Sequence, residues 1–279
     1  MDLRPVVIYH AHCADGMAAA WVFWHTYGNA MEYVPGIYQG ALENYEGRDV
    51  YFLDFSVPRA IMEDILKIAN KVTVLDHHVS ALKDLAPLAN HPKMNMTNCT
   101  TEKSGCAIAW KYVHPYKAMP QLLEHIQDRD LWKFYHKDTK TIMAWFFSKE
   151  LTFEFIAEAI FTVRKDLDLV LAMGTALLEK HMKDVDSVID QCVREVNIGG
   201  YLVPCACANG WLASDVGNKL SQGKPFAATY FDTESGRAFS LRSNDSGEDV
   251  SAVAKLYGGG GHRNAAGFKV DRNNTLARV

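Results

Sequence analysis

Three short apolar runs in the first third of the chain each end on a residue that can carry chemistry. Pro5-Val6-Val7-Ile8-Tyr9 leads into His10, Val50-Tyr51-Phe52-Leu53 into Asp54, and Lys71-Val72-Thr73-Val74-Leu75 into Asp76. Helix-like stretches separate them, from about Gly16 to Tyr27 and from about Pro58 to Asn70. The second of these carries Ile61, Ile65, Leu66 and Ile68 as its apolar stripe. Strands alternating with helices join through right-handed crossovers, so the expected architecture is a parallel sheet. Ligands of such sheets bind outside the carboxyl ends of the strands, which puts His10, Asp54 and Asp76 on one rim. Asp15 lies in the turn after His10, and His77 and His78 follow Asp76 directly.

The pattern then changes twice. Residues from about Thr152 to Val196 read as almost entirely helical, with Leu167, Leu171, Leu177, Leu178 and Met182 along one stripe. This stretch is expected to connect two domains; a coiled-coil helix that makes a homodimer is the rival reading. After Gly199-Gly200, strands are expected at Tyr201–Val203, Phe226–Phe231 and Ala238–Leu241, with helices near Ser214–Leu220 and Glu248–Tyr257. The expected fold class is α/β in three parts: a parallel-sheet domain over 1–148, a helical connector over 149–197 and a smaller α/β domain over 198–279.

Composition excludes several classes. With 48% apolar and 22% charged residues, the 279-residue chain is that of a soluble globular protein. Coating a long duplex requires neutralising many phosphates, and a net charge of −4 argues against it. The apolar stretch Met17–Trp24 is too short to span a bilayer, and the start lacks the pattern of a secretory signal. Six cysteines without a C-x-x-C pair suggest reduced thiols and a cytoplasmic protein.

A single strand-end aspartate is ordinarily a turn former or helix cap. Several on one rim repel each other strongly unless a cation is present. Mixed Asp and His ligands suit Mn²⁺, Fe²⁺ or Zn²⁺ better than ions that prefer all-oxygen shells. The number of ligands allows two ions, which together activate a water and clamp phosphoryl oxygens.

The order of these residues resembles the DHH phosphoesterases. The resemblance rests on Asp76-His77-His78, preceded by His10-Ala-His12-Cys13-Ala-Asp15-Gly16 and Leu53-Asp54, and followed by Ile126-Gln-Asp128-Arg-Asp130-Leu-Trp132. It implies that His10 and Asp15 are metal ligands, that Asp54 bridges two ions, and that Asp76 and His77 belong to the metal site. It places His78 just outside, toward a substrate phosphate, so that Asp76 and His78 are the catalytic pair. Asp128 is the preferred fourth acid and Asp130 the alternative. The implied cofactors are two divalent ions, Mn²⁺ first, with Mg²⁺, Co²⁺ or Fe²⁺ as alternatives. One departure stands out: the family's first motif carries a second acid where this chain has Cys13 and Ala14, so either one metal is held more loosely or His12 or Cys13 compensates.

Tyr257-Gly258-Gly259-Gly260-Gly261-His262-Arg263 is a second constellation. Consecutive glycines let backbone N–H groups approach an anion. The segment resembles the signature of the DHH-associated C-terminal domain. That likeness implies substrate contacts from Gly259, Gly260, Gly261, His262, Arg263, Arg242 and Ser243, with Arg242 as a fork for a terminal phosphate. The expected function is metal-dependent hydrolysis of phosphodiester or phosphomonoester bonds in short oligonucleotides or small nucleotides. Inorganic pyrophosphatase or polyphosphatase is the second reading, and a catalytically inactive nucleotide-binding module the third.

Overall fold

The computed structural model of the protein describes residues 3–11, 13–36 and 45–278. The chain divides into two compact units, Met1–Leu178 and Glu179–Val279. The boundary falls within one long helix, inside the stretch that reads as a connector.

In the first unit, strands β1 (Val6–His10), β2 (Glu32–Gly36), β3 (Asp49–Leu53), β4 (Lys71–Leu75) and β5 (Met94–Asn95) form a five-stranded sheet. Its order is β2-β1-β3-β4-β5, and every neighbouring pair is parallel. The α/β class expected from the sequence is therefore the one observed. Helices α1 (Ala14–Tyr27), α2 (Arg59–Ile68), α3 (Val79–Leu85), α4 (Gly105–Val113), α5 (Gln121–Asp130), α6 (Thr139–Phe146) and α7 (Phe153–Lys165) complete the unit, with the start of α8 (Leu167–Cys192).

Alternation along the strands divides the core. Val7 and Tyr9 of β1 pack with Ala18, Phe23, Ile126 and Phe146 on one face. Val6 and Ile8 pack with Met62, Ile65 and Leu85 on the other. Both faces of the sheet are thus buried, which is why its strands read as continuous apolar runs. Helix α1 lies within the first of these cores, and its Ala18 to Phe23 segment is buried throughout. A helix apolar on all sides is a core helix.

The second unit holds β6 (Arg194–Ile198), β7 (Tyr201–Cys207), α9 (Gly210–Leu220), β8 (Ala227–Thr233), β9 (Gly236–Arg242), α10 (Val250–Lys255), β10 (Gly260–His262) and β11 (Ala265–Val270). Its mixed sheet runs β10-β11-β9-β8-β7-β6.

Three local readings change. The helical stretch breaks at Asp166, whose carboxylate accepts from Leu169 N at 3.2 Å and so caps α8. The stretch also ends early, because Val196 and Ile198 alternate inward as strand β6. Strand β2 is not among the runs expected from the sequence; it contains Pro35 and is an edge strand, where proline is tolerated. Among the described residues no helix is long and apolar enough to cross a membrane, and all six cysteines are free thiols.

Candidate metal centre

The parallel register sets the site. Tyr9 is opposite Leu53, and Leu53 is opposite Leu75. His10, Asp54 and Asp76 each come one residue later and therefore emerge at one level. The chain leaves β1 toward β2 on one side and returns to β3 on the other. The crevice at the carboxyl ends of β1 and β3 is thus the topological switch point of the sheet, where such folds bind ligands.

Two close approaches tighten this rim. A Cβ on Gly16 would stand 2.4 Å from the His10 carbonyl oxygen, and one on Gly105 would stand 2.4 Å from Asp54 Cβ. Only glycine lets the start of α4 reach the strand end. Asp15 accepts there from Gly105 N at 2.5 Å, Cys106 N at 3.0 Å and Ser104 Oγ at 2.7 Å. Ser104 stands at the cap position of α4, and its hydroxyl serves Asp15 instead of its own helix. The orphan N–H groups and dipole of α4 are satisfied by an aspartate from α1. Asp54 itself holds a left-handed φ of 53°, uncommon outside glycine and tolerated best by Asp and Asn.

Around these positions the structure gathers two triads of metal-binding side chains. His10, Asp54 and His78 form one, and Asp15, His77 and Asp130 the other, with one ligand atom from each residue within 4.8 Å of the others. Asp54 lies between them. Its Oδ1 is 3.0 Å from His77 Nε2, and its Oδ2 is 3.5 Å from His10 Nδ1. Asp15, Asp54 and Asp76 are 1%, 1% and 0% exposed. Desolvation and the charges of Asp54 and Asp130 push Asp15 up to about 8. Desolvation and Asp54 push Asp130 up to about 6. For His77, burial opposes the charged ring, but the Asp54, Asp130 and Asp15 carboxylates outweigh it and raise the group to about 10. Burial likewise opposes a charged Asp54, yet the rings of His10, His77 and His78 hold it below the usual carboxylate range. Carboxylates that can ionise together only beside cations make a site chemically suited to divalent ions.

The two candidates for the fourth acid stand in different surroundings. Asp128, the preferred ligand, has both oxygens engaged elsewhere: it accepts from Tyr135 N at 2.8 Å, His136 N at 3.1 Å and Thr139 Oγ at 2.6 Å. Asp130 is the acid in the triad, 3.6 Å from His77 Nε2. The place of His78 also changes. Instead of standing outside, it belongs to the triad of His10 and Asp54. Asp76 Oδ1 accepts from His77 N at 2.7 Å, His78 N at 3.1 Å and His78 Nδ1 at 2.7 Å, so Asp76 fixes the orientation of both histidines. Its Oδ2 is buried with no hydrogen-bond partner among the described residues, an oxygen whose charge a cation would balance. His12 lies outside the described residues. Burial and the charges of Asp54, Asp130 and Asp15 push the Cys13 thiol well above its ordinary range in the metal-free protein.

In the second unit, the glycine-rich segment is an edge strand and turn. A Cβ on Gly259 would meet the Gly267 carbonyl oxygen at 2.1 Å, and one on Gly261 the Ala265 carbonyl oxygen at 2.5 Å. These glycines therefore admit the neighbouring strand, and Gly260 and Gly261 pair with Gly267 and Ala266. Arg263, expected as a substrate donor, instead ties the hairpin to a loop: Nη2 donates to Gly247 O at 2.9 Å and Nη1 to Asn264 Oδ1 at 2.9 Å. Ser243 is buried and donates to Asn264 Oδ1 at 3.2 Å. Arg242 donates to Ser214 Oγ at 2.8 Å and is only partly buried, as is His262.

Comparison with known proteins agrees with this architecture. No protein-family model matches the chain. An uncharacterized protein of Acanthamoeba polyphaga mimivirus, R106, is 31% identical over 297 residues, spanning 96% of this chain and 68% of that protein. Among solved structures, the DHH domain of a member of a family of ribosomal proteins superposes with a TM-score of 0.61 at 14% identity, covering 98% of this chain and 84% of that one. An exopolyphosphatase-related protein from Bacteroides fragilis gives 0.55 at 12% identity, covering 96% and 87%. RecJ from Thermus thermophilus, in complex with Mn²⁺, gives 0.52 at 13% identity, covering 97% of this chain and 50% of RecJ. The chain belongs to one family with the mimivirus protein R106, and its fold is that of the DHH-domain proteins.

Proposed function

We infer that the protein is a metal-dependent phosphoesterase that hydrolyses phosphodiester or phosphomonoester bonds of short oligonucleotides or small nucleotides. One observation carries the reading: two Asp/His triads share a rim at the sheet's switch point, with Asp54 between them. His10, Asp54 and His78 would hold one ion, and Asp15, His77 and Asp130 the other. Bound divalent ions supply Lewis-acid stabilisation of phosphoryl oxygens and a nucleophile at neutral pH. Mn²⁺ is the first choice, since imidazole and carboxylate both suit it, and RecJ, on the same fold, was solved with that ion.

The chain's own residues set the rest. Asp76 orients His78, Asp15 is held on the α4 N-terminus, and Asp130, whose side chain is 25% exposed, gives the triads a solvent-facing edge. Arg242 and His262 are the donors proposed for a substrate phosphate, while Arg263, Ser243 and the glycines act by shaping their strand. The overall charge of −4 favours short substrates over long duplexes.

The test is turnover by the full chain in Mn²⁺ of dinucleotides, a 3′,5′-bisphosphorylated nucleoside, cyclic dinucleotides and pyrophosphate. Release of mononucleotides or of phosphate from nucleotides is expected. Cleavage of pyrophosphate alone would move the reading to a pyrophosphatase, and no turnover with ions demonstrably bound would sink it.

A further inference from the structure

Four carboxylates meet at the metal centre: Asp15, Asp54 and Asp130 in the triads, and Asp76 behind His77 and His78. The charges of two divalent ions would balance these four and no more. A substrate phosphate therefore brings negative charge that the centre leaves uncompensated, and such charge is stabilised by cations fixed beside it. In the first unit, the loops that leave the carboxyl ends of β1, β3, β4 and β5 span residues 11–13, 54–58, 76–78 and 96–104. Their one Lys or Arg is Lys103. Beyond these loops, Arg59 pairs with Glu63 at 2.8 Å, and Arg129 Cζ lies 5.3 and 5.2 Å from the ring centroids of Trp132 and Phe147.

Two anchors hold the segment that carries Lys103. At its start the Cys99 thiol donates to Val74 O at 3.2 Å, two residues before Asp76. At its end Ser104 Oγ donates to Asp15 Oδ1 at 2.7 Å, while Ser104 N donates to Gln127 Oε1 at 3.4 Å. Residues 100–103 thus run from the end of β4 to the triad acid Asp15. Adjacent Cα atoms are about 3.8 Å apart, so Lys103 stands one such step from the residue that bonds Asp15. Lys103 is exposed and has no hydrogen bond or ion pair with any described residue, the neighbouring Glu102 included. It also precedes Ser104, the cap position of α4, where the helix dipole disfavours a cation. Burial, pairing and helix stability all fail to account for a lysine at this point.

We propose that Lys103 is a substrate-binding residue of the metal centre, whose ammonium meets a phosphate oxygen that the two triads leave free. This role rests on the phosphoesterase reading for its reaction, and on the position of Lys103 at the rim for its anion. A lysine suits the task, because its compact charge and three donors sit on a flexible four-carbon stem that can follow a phosphate. The ammonium contacts the substrate and none of the ion ligands, so its removal should weaken phosphate binding without displacing Mn²⁺.

Calorimetry on the full Mn²⁺-loaded chain measures the binding of inorganic phosphate, and kcat and KM are measured in parallel for the substrate turned over fastest. Lys103→Met should weaken phosphate binding about 10- to 150-fold, the range for losing a hydrogen bond to a charged group. KM should rise by a similar factor, with Mn²⁺ stoichiometry and melting temperature kept. Lys103→Arg, which keeps the charge, should retain most of the phosphate affinity. Lys117→Met, which removes the same charge beyond the far end of α4, should change neither phosphate binding nor KM. Natural phosphate affinity or a natural KM in Lys103→Met overturns the role. So does an absence of phosphate binding to the natural chain, a loss of bound Mn²⁺ from Lys103→Met, or an equal effect from Lys117→Met; where turnover persists, the phosphoesterase reading stands without Lys103. Phosphate binding that depends on Lys103, without turnover of any substrate, would support the anion contact and reject the phosphoesterase reading.

Discussion

His77 Nε2 lies 3.0 Å from Asp54 Oδ1, and through this contact the two triads meet. The same nitrogen is 3.6 Å from Asp130 Oδ2 and 4.0 Å from Asp15 Oδ2. One imidazole thus stands among three carboxylates, and the local charge is balanced only when cations join it.

A pH dependence follows. Asp15 and Asp130 have folded-state pKa values raised to about 8 and about 6, so without metal the folded chain binds more protons than the unfolded one. Stability then falls as pH rises from about 4 to about 8. His77, raised to about 10, adds a loss in the same direction above its unfolded value near 6.5. Melting temperatures of the metal-free protein should therefore decrease across this window. The Mn²⁺-loaded protein should not show that fall, and the gap between the two curves should widen with pH.

Asp128 and Asp130 should separate stability from metal binding. Asp128→Ala removes the acceptor of two amides and a hydroxyl and should cost about 2–4 kcal/mol in urea unfolding, with Mn²⁺ stoichiometry kept. Asp130→Asn should do the reverse, leaving or raising metal-free stability while Mn²⁺ binding drops in calorimetry. Loss of metal from the Asp128 variant with unchanged stability would restore Asp128 as the ligand.

Gly105→Ala places a Cβ 2.4 Å from Asp54 Cβ and 2.9 Å from Asp15 Oδ2. Overpacking at backbone costs about 1–3 kcal/mol, and here the atoms that must yield belong to both triads. Thermal unfolding should show the loss, and Mn²⁺ titration a weakened affinity beyond that of an alanine placed elsewhere in α4.

Asp76→Asn keeps the shape but changes what meets His78 Nδ1 and the His77 amide. Outer contacts of this kind are worth about 10- to 100-fold in metal affinity or activity. A loss of that size in Mn²⁺ affinity, or in kcat at saturating Mn²⁺, is the expected result.

Some of the site was legible in the chain. The strand-end positions of His10, Asp54 and Asp76 follow from apolar run length alone, because each run stops at its first polar residue, whether or not that residue is itself buried. The fourth acid could not be read the same way. Asp128 and Asp130 are two residues apart on α5, about 200° around its axis, so one points to the triads and the other away. Which is which depends on how α5 rotates against α4 and α6, a matter of non-local packing. The same holds for Gly105, whose need for a missing side chain exists only because Asp54 arrives from another element.

By itself, then, the sequence determined a parallel sheet with acids and histidines along its carboxyl rim. The period of burial and the identity of the residue after each run are both local properties. Only the tertiary structure decided that Asp130 and His78 join the triads, that Asp15 sits on the amides of α4, and that the glycines near His262 serve a neighbouring strand. Each of those outcomes depends on the distance between atoms far apart in the chain, and such distances are fixed by packing.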